Sequence, residues 1–137
     1  MSYSNDPLWI NIKDFQFDRE DDELTYASKL SFENDWKYEF TQKVVTEYKK
    51  FLYLCAISET PLSPSPLVDK AWHLHLSYTK SYWEDLCKGI LGRLLHHEPS
   101  KGKQGEQAYY DSMYLDTLNY YEKFTGLNLP ASSGPPL

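Results

Sequence analysis

The stretch Phe40-Thr41-Gln42-Lys43-Val44-Val45-Thr46-Glu47-Tyr48-Lys49-Lys50-Phe51-Leu52-Tyr53-Leu54-Cys55 decides the fold class. Within it Phe40, Val44, Tyr48, Phe51, Leu52 and Cys55 recur at helical spacing and form one apolar face. The pattern predicts a helix over residues 35–57, roughly 33 Å long at a rise of about 1.5 Å per residue. Asn34 and Asp35 break the chain before it. The segment Thr60-Pro61-Leu62-Ser63-Pro64-Ser65-Pro66 breaks it afterwards, because its prolines remove donors and fix φ.

Outward from this helix the chain keeps reading as helical. Asp6-Pro7 has the form of an N-cap followed by proline at the first helical position, predicting a short helix over 7–14 with Leu8 and Trp9 inward. The acidic run Asp18 to Glu23 is expected to open a second helix, where negative charge suits the positive end of the dipole; Leu24, Ala27 and Leu30 give its apolar stripe. Ser65-Pro66 caps a fourth helix carrying Val68 to Leu76. A fifth covers Ser77 to Cys87, with Tyr78, Tyr82 and Leu86 one turn apart and Gly89 and Gly92 ending it. A loop from Arg93 to Gly105 follows. The last helix, 106–125, puts Tyr110, Met113, Tyr114, Thr117, Leu118 and Tyr121 on one side, and Gly126 is suited to the position after it. No strand-like alternation or internal repeat appears. The expected fold is all-α, an irregular or orthogonal bundle of about five or six helices forming one domain over 1–126, with a Pro/Ser/Gly-rich tail over 127–137.

Net charge and cysteine content narrow the function. A net charge of −6 excludes broad phosphate neutralisation, so no nucleic-acid partner is expected, and no polybasic membrane patch either. Arg93, Lys101 and Lys103 are the one small basic group, enough for a single anion and more simply read as a solvated loop. No apolar run approaches the roughly 20 residues of a membrane span, and the polar start Met1 to Asp6 does not read as a signal peptide, so the expected location is cytoplasmic. Cys55 and Cys87 sit in amphipathic patterns and are expected as buried free thiols. Aromatic residues make up 16% of the chain, and the twelve tyrosines among them predict a core with internal hydroxyl bonding or a polar pocket.

All four histidines fall between 73 and 97: His73 and His75 in Asp69-Lys70-Ala71-Trp72-His73-Leu74-His75, then the adjacent His96 and His97. Asp69 and His73, four apart, share a helix face, so the carboxylate is placed either to co-ligate an ion or to orient the imidazole. His73 and His75 point about 200° apart on a continuous helix and meet at one ion only if the helix breaks near His75. Two uses stay open: a site for a divalent metal ion such as zinc or iron, or a site for a small ligand. Against both stands an interaction module for a protein partner, in which the histidines are structural latches. General acid–base catalysis by His73 with Asp69 ranks below these, because neither a nucleophile nor a substrate is indicated.

Several segments resemble the glycine-rich domain-containing protein family: Ser65-Pro66 before Val68-Asp69, Trp72-His73-x-His75, Tyr78 and Tyr82, Gly92-Arg93-x-Leu95-His96-His97, and Tyr114 to Gly126 with Tyr121 and Phe124. Phe17 through Leu54, with Glu33-Asn34 and Glu47-Tyr48-x-x-Phe51, resembles its bacterial branch. The resemblance implies a purposeful polar site in which His97, rather than His96, joins His73 and His75 as metal-ligating candidates. Asp69, Trp72, Tyr78, Tyr82 and Arg93 are the ligand-contacting candidates that go with them. The chain departs from the family in having no glycine-rich extension, which removes the footing for an RNA-related role.

Overall fold

A computed structural model describes residues 3–97 and 102–125, and the side chains up to residue 123. Six helices carry the fold among them, after a 3-10 turn at Tyr3–Asn5, and no strand is present in the described residues. These are α1 (Pro7–Lys13), α2 (Tyr26–Asn34), α3 (Tyr38–Ile57), α4 (Pro66–Ser77), a π-helix (Lys80–Leu91) and α5 (Glu106–Thr125). The expected all-α bundle is what the chain forms. Gly126 and the tail lie outside the described residues.

Helix α3 is the central element, packed against α1, α2, α4 and α5. Its face of Val44, Tyr48, Phe51, Leu52 and Cys55 is buried, as the periodicity requires. Asp6 begins α1 by accepting from the Leu8 amide at 2.9 Å, and it also accepts the Tyr53 hydroxyl at 2.7 Å, fixing α1 to α3. Tyr3, Trp9 and Tyr53 close the same corner, with ring centroids 5.0 to 6.0 Å apart.

Three expectations need correction. The acidic run does not open α2. Asp18 instead accepts the Tyr26 amide at 2.7 Å and Asp22 the Arg19 amide at 2.9 Å, holding the run in turns, while Thr25 caps the helix at Ser28. Short acidic side chains bond nearby backbone in non-helical conformations, and here that outweighs the dipole. Helix α3 begins at Tyr38 rather than 35, because Asp35 takes the left-handed conformation (φ 54°) as the cap of α2.

The third correction is the Lys80–Leu91 helix, which is wound wider than an α-helix. Its buried residues Tyr82, Leu86 and Cys87 lie four and five apart, as a wide turn demands. Gly89 sits inside it: an added Cβ would stand 3.2 Å from the carbonyl of Glu84, five residues upstream. Gly92 (φ 75°) ends the helix. Tyr78 belongs to neither neighbour fully; its amide caps α4 through the His75 carbonyl at 2.9 Å.

Candidate functional site

The site is built from one face of α4 and the segment after the π-helix. Ser65 caps α4 at Val68, with Pro66 at the first position, and the helix runs unbroken through His75 to Ser77. Continuous winding sends its polar residues two ways. Asp69 and His73 face outward, whereas His75 is fully buried against α3. The break near His75 that would bring the two histidines together does not occur.

Arg93 to His97 is held by two anchors. The Arg93 guanidinium donates to the Cys55 carbonyl in the last turn of α3, where cations suit the helix end. Tyr82 donates its hydroxyl to the Leu95 carbonyl while accepting from Trp72 Nε1 at 2.8 Å. This relay lays His97 over Trp72, ring centroids 4.3 Å apart, and beside Asp69. His97 Nε2 donates to Asp69 Oδ1 across 28 residues of chain. The carboxylate thus fixes Nε2 as a donor, and in the neutral ring Nδ1 is then the lone-pair side. His97 Nδ1 has no protein hydrogen-bond partner among the described residues.

Over this pair lies a groove of about 770 Å³, within the size range of small-molecule sites. Pro61, Leu62 and Pro64 form one wall, and Tyr109, Tyr110 and Met113 of α5 another. Asp69, Trp72, His73, His96 and His97 line the remainder. Helix α5 reaches this position because Thr117 accepts the Ser63 amide at 2.9 Å and the Tyr121 hydroxyl donates to Glu47 of α3. Sequence reasoning placed Tyr110 and Met113 on the inward face of the last helix; both are half-buried, and they line the groove.

The structure therefore brings Asp69, Trp72, His73 and His97 together, and His96 with them, its ring 5.3 Å from that of Trp83. It places Tyr82 beneath the site and Arg93 on the Cys55 carbonyl. Tyr78 packs edge-on to Tyr26 at 5.6 Å and borders a different, smaller cavity of about 400 Å³. Among the described residues no group of three or more His, Cys, Asp or Glu side chains is placed to hold a metal ion, so His73, His75 and His97 do not form one ligand set.

His75 has a separate environment that sequence reasoning missed. Its Nδ1 meets the Tyr48 hydroxyl at 2.8 Å and its Nε2 the Ser81 hydroxyl at 3.0 Å. Rings of Phe15, Phe17, Tyr26, Tyr48 and Tyr82 surround it at 4.7 to 5.8 Å. Burial in this cage holds the imidazole down to about 3 and raises Tyr48 well above the ordinary phenol range, so both stay neutral near pH 7.

Residues 11–114, more than half of the chain, match the UCP032817-like family. The chain belongs to that family. The match takes in Asp69, His73, His75 and His97, so the family is the UCP032817-like one and not the glycine-rich domain-containing proteins, and that resemblance is corrected accordingly. The family's description names no activity to transfer. No curated protein and no solved structure matches the chain. No helix among the described residues is long and apolar enough to cross a membrane.

Proposed function

We propose that the groove over Asp69 and His97 is a binding site for a small organic ligand, with His97 Nδ1 as its proton-accepting contact. The observation that carries this reading is the Asp69–His97 hydrogen bond on the groove wall. A carboxylate that takes one ring N–H orients the imidazole and leaves the other nitrogen to accept a proton or hydrogen bond from a guest. The apolar walls and the few convergent polar groups match the general make-up of ligand sites. A metal reading receives less support, because His75 is engaged on both nitrogens and points elsewhere.

A second reading treats His97 as a latch that pins 93–97 to α4, leaving an interaction module without a ligand. It draws on the same hydrogen bond and on the structural role of His75. Titration with a neutral aromatic probe, 3-phenylpropanamide, separates the two. Ligand binding requires ring shifts at His73, His97, Tyr109 and Tyr110 that saturate in wild type and vanish in His97→Ala. Wild-type spectra that stay unchanged while His97→Ala melts several degrees lower would leave only the latch.

A further inference from the structure

The groove over Asp69 and His97 holds open acceptors, while several of its donors are missing or spent. Pro61, Pro64 and Pro66 in its wall carry no amide hydrogen. The Ser63 amide goes to the Thr117 hydroxyl at 2.9 Å, and the Trp72 indole N–H goes to Tyr82 at 2.8 Å. Asp69 presents the opposite case. One of its oxygens takes the His97 ring N–H, and Oδ2 has no protein donor among the described residues. In the neutral ring His97 Nδ1 is a second open acceptor.

Charge points the same way. Asp69 is the one carboxylate that lines the groove among the described residues, and no lysine or arginine lines it. Lys29 and Lys70 line a neighbouring cavity that shares Asp69 and His73, and neither lies within ion-pair distance of Asp69. The Asp69 side chain is half-exposed, so a cation can reach it from solvent. Tyr109 and Tyr110 of α5 add aromatic rings, whose faces attract cations.

We propose that the guest is a protonated amine, an ammonium group carried on an apolar body. An ammonium has donors and no acceptor, so it answers Asp69 Oδ2 and His97 Nδ1. The apolar body lies against Pro61, Pro64 and Met113. This assignment rests on the groove being a ligand site, and it adds the charge and donor character of the guest. An anionic guest is disfavoured by the same lining, since its carboxylate would meet Asp69 with no lysine or arginine to receive it.

Three matched probes test the assignment without depending on the natural ligand. 3-Phenylpropylamine, 3-phenylpropanamide and 3-phenylpropanoate share a skeleton and differ in charge. The titrations are run at about pH 8, where an ordinary imidazole is uncharged and the amine is still protonated. Wild type should bind in the order amine, amide, acid, read from ring shifts of His73, His97 and Tyr109. The amine should lead the amide by about three- to tenfold, the scale of an exposed ion pair with a cation–π contact. Asp69→Asn keeps an acceptor oxygen for His97 and removes the charge. It should bring amine and amide within about twofold of each other while amide binding persists. Should this variant bind neither probe, the order in wild type decides by itself. Equal binding of amine and amide by wild type, a preference for the acid, or an amine preference that survives Asp69→Asn overturns the amine assignment while the ligand site stands. Absence of any shift with all three probes overturns both.

Discussion

Acid should unfold this protein partly through one residue, His75. In the folded state burial holds its imidazole at about 3. In the unfolded chain the value returns to about 6.5. Between these values the unfolded state binds a proton that the native state refuses. The contribution is therefore fully present above pH 6.5 and is lost as pH falls through the window toward 3, at up to about 1.4 kcal/mol per pH unit. At pH 4.5 the loss amounts to about 3 kcal/mol, a large share of the roughly 5–15 kcal/mol that holds a domain together. Urea unfolding of wild type and His75→Gln at pH 7.5, 6.0 and 4.5 isolates the residue, since the carboxylates titrate alike in both. Wild type should lead at pH 7.5, because the variant disturbs the Tyr48 and Ser81 hydrogen bonds, and that lead should shrink by about 3 kcal/mol at pH 4.5. A difference that stays constant with pH would refute the reasoning, since it would mean that the native imidazole accepts the proton as readily as the unfolded one.

Two further outcomes follow from the same contacts. Tyr82→Phe removes the bonds to Trp72 Nε1 and the Leu95 carbonyl, so it should cost about 1–3 kcal/mol in urea unfolding and weaken probe binding by loosening His97. Asp6→Ala loses both the α1 cap and the Tyr53 tie and should cost about 1–3 kcal/mol, with no change at the groove; circular dichroism melts beside probe titration check both parts.

The helices that sequence reveals best are those whose burial is one-sided. Helix α3 shows its face in Val44, Tyr48, Phe51 and Cys55, and α4 shows its start in Ser65-Pro66, because periodicity and caps are local properties. The π-helix was not legible: Tyr78, Tyr82 and Leu86 fit an α-period over one turn, and only the position of Cys87 and Gly89 against Glu84 betrays the wider winding. The Asp18–Glu23 run misled because the partners of Asp18 and Asp22 are backbone amides that composition does not show. At the site, Asp69, His73 and His97 stood out by clustering. That His75 turns inward followed from helix geometry once the helix was known to continue. The Asp69–His97 bond joins residues 28 apart, and the Trp72–Tyr82–Leu95 relay that enforces it has no local signature.

The central claim is that Asp69 holds His97 by its Nε2 proton and leaves Nδ1 to a guest. Nitrogen-15 and proton spectra of the imidazole rings at neutral pH and low temperature test it directly. The prediction is a downfield Nε2–H of His97, slow to exchange with water in wild type and lost in Asp69→Ala, while exposed His73 shows none. A His97 ring whose N–H exchanges as fast as that of His73, unaffected by Asp69→Ala, would contradict the account.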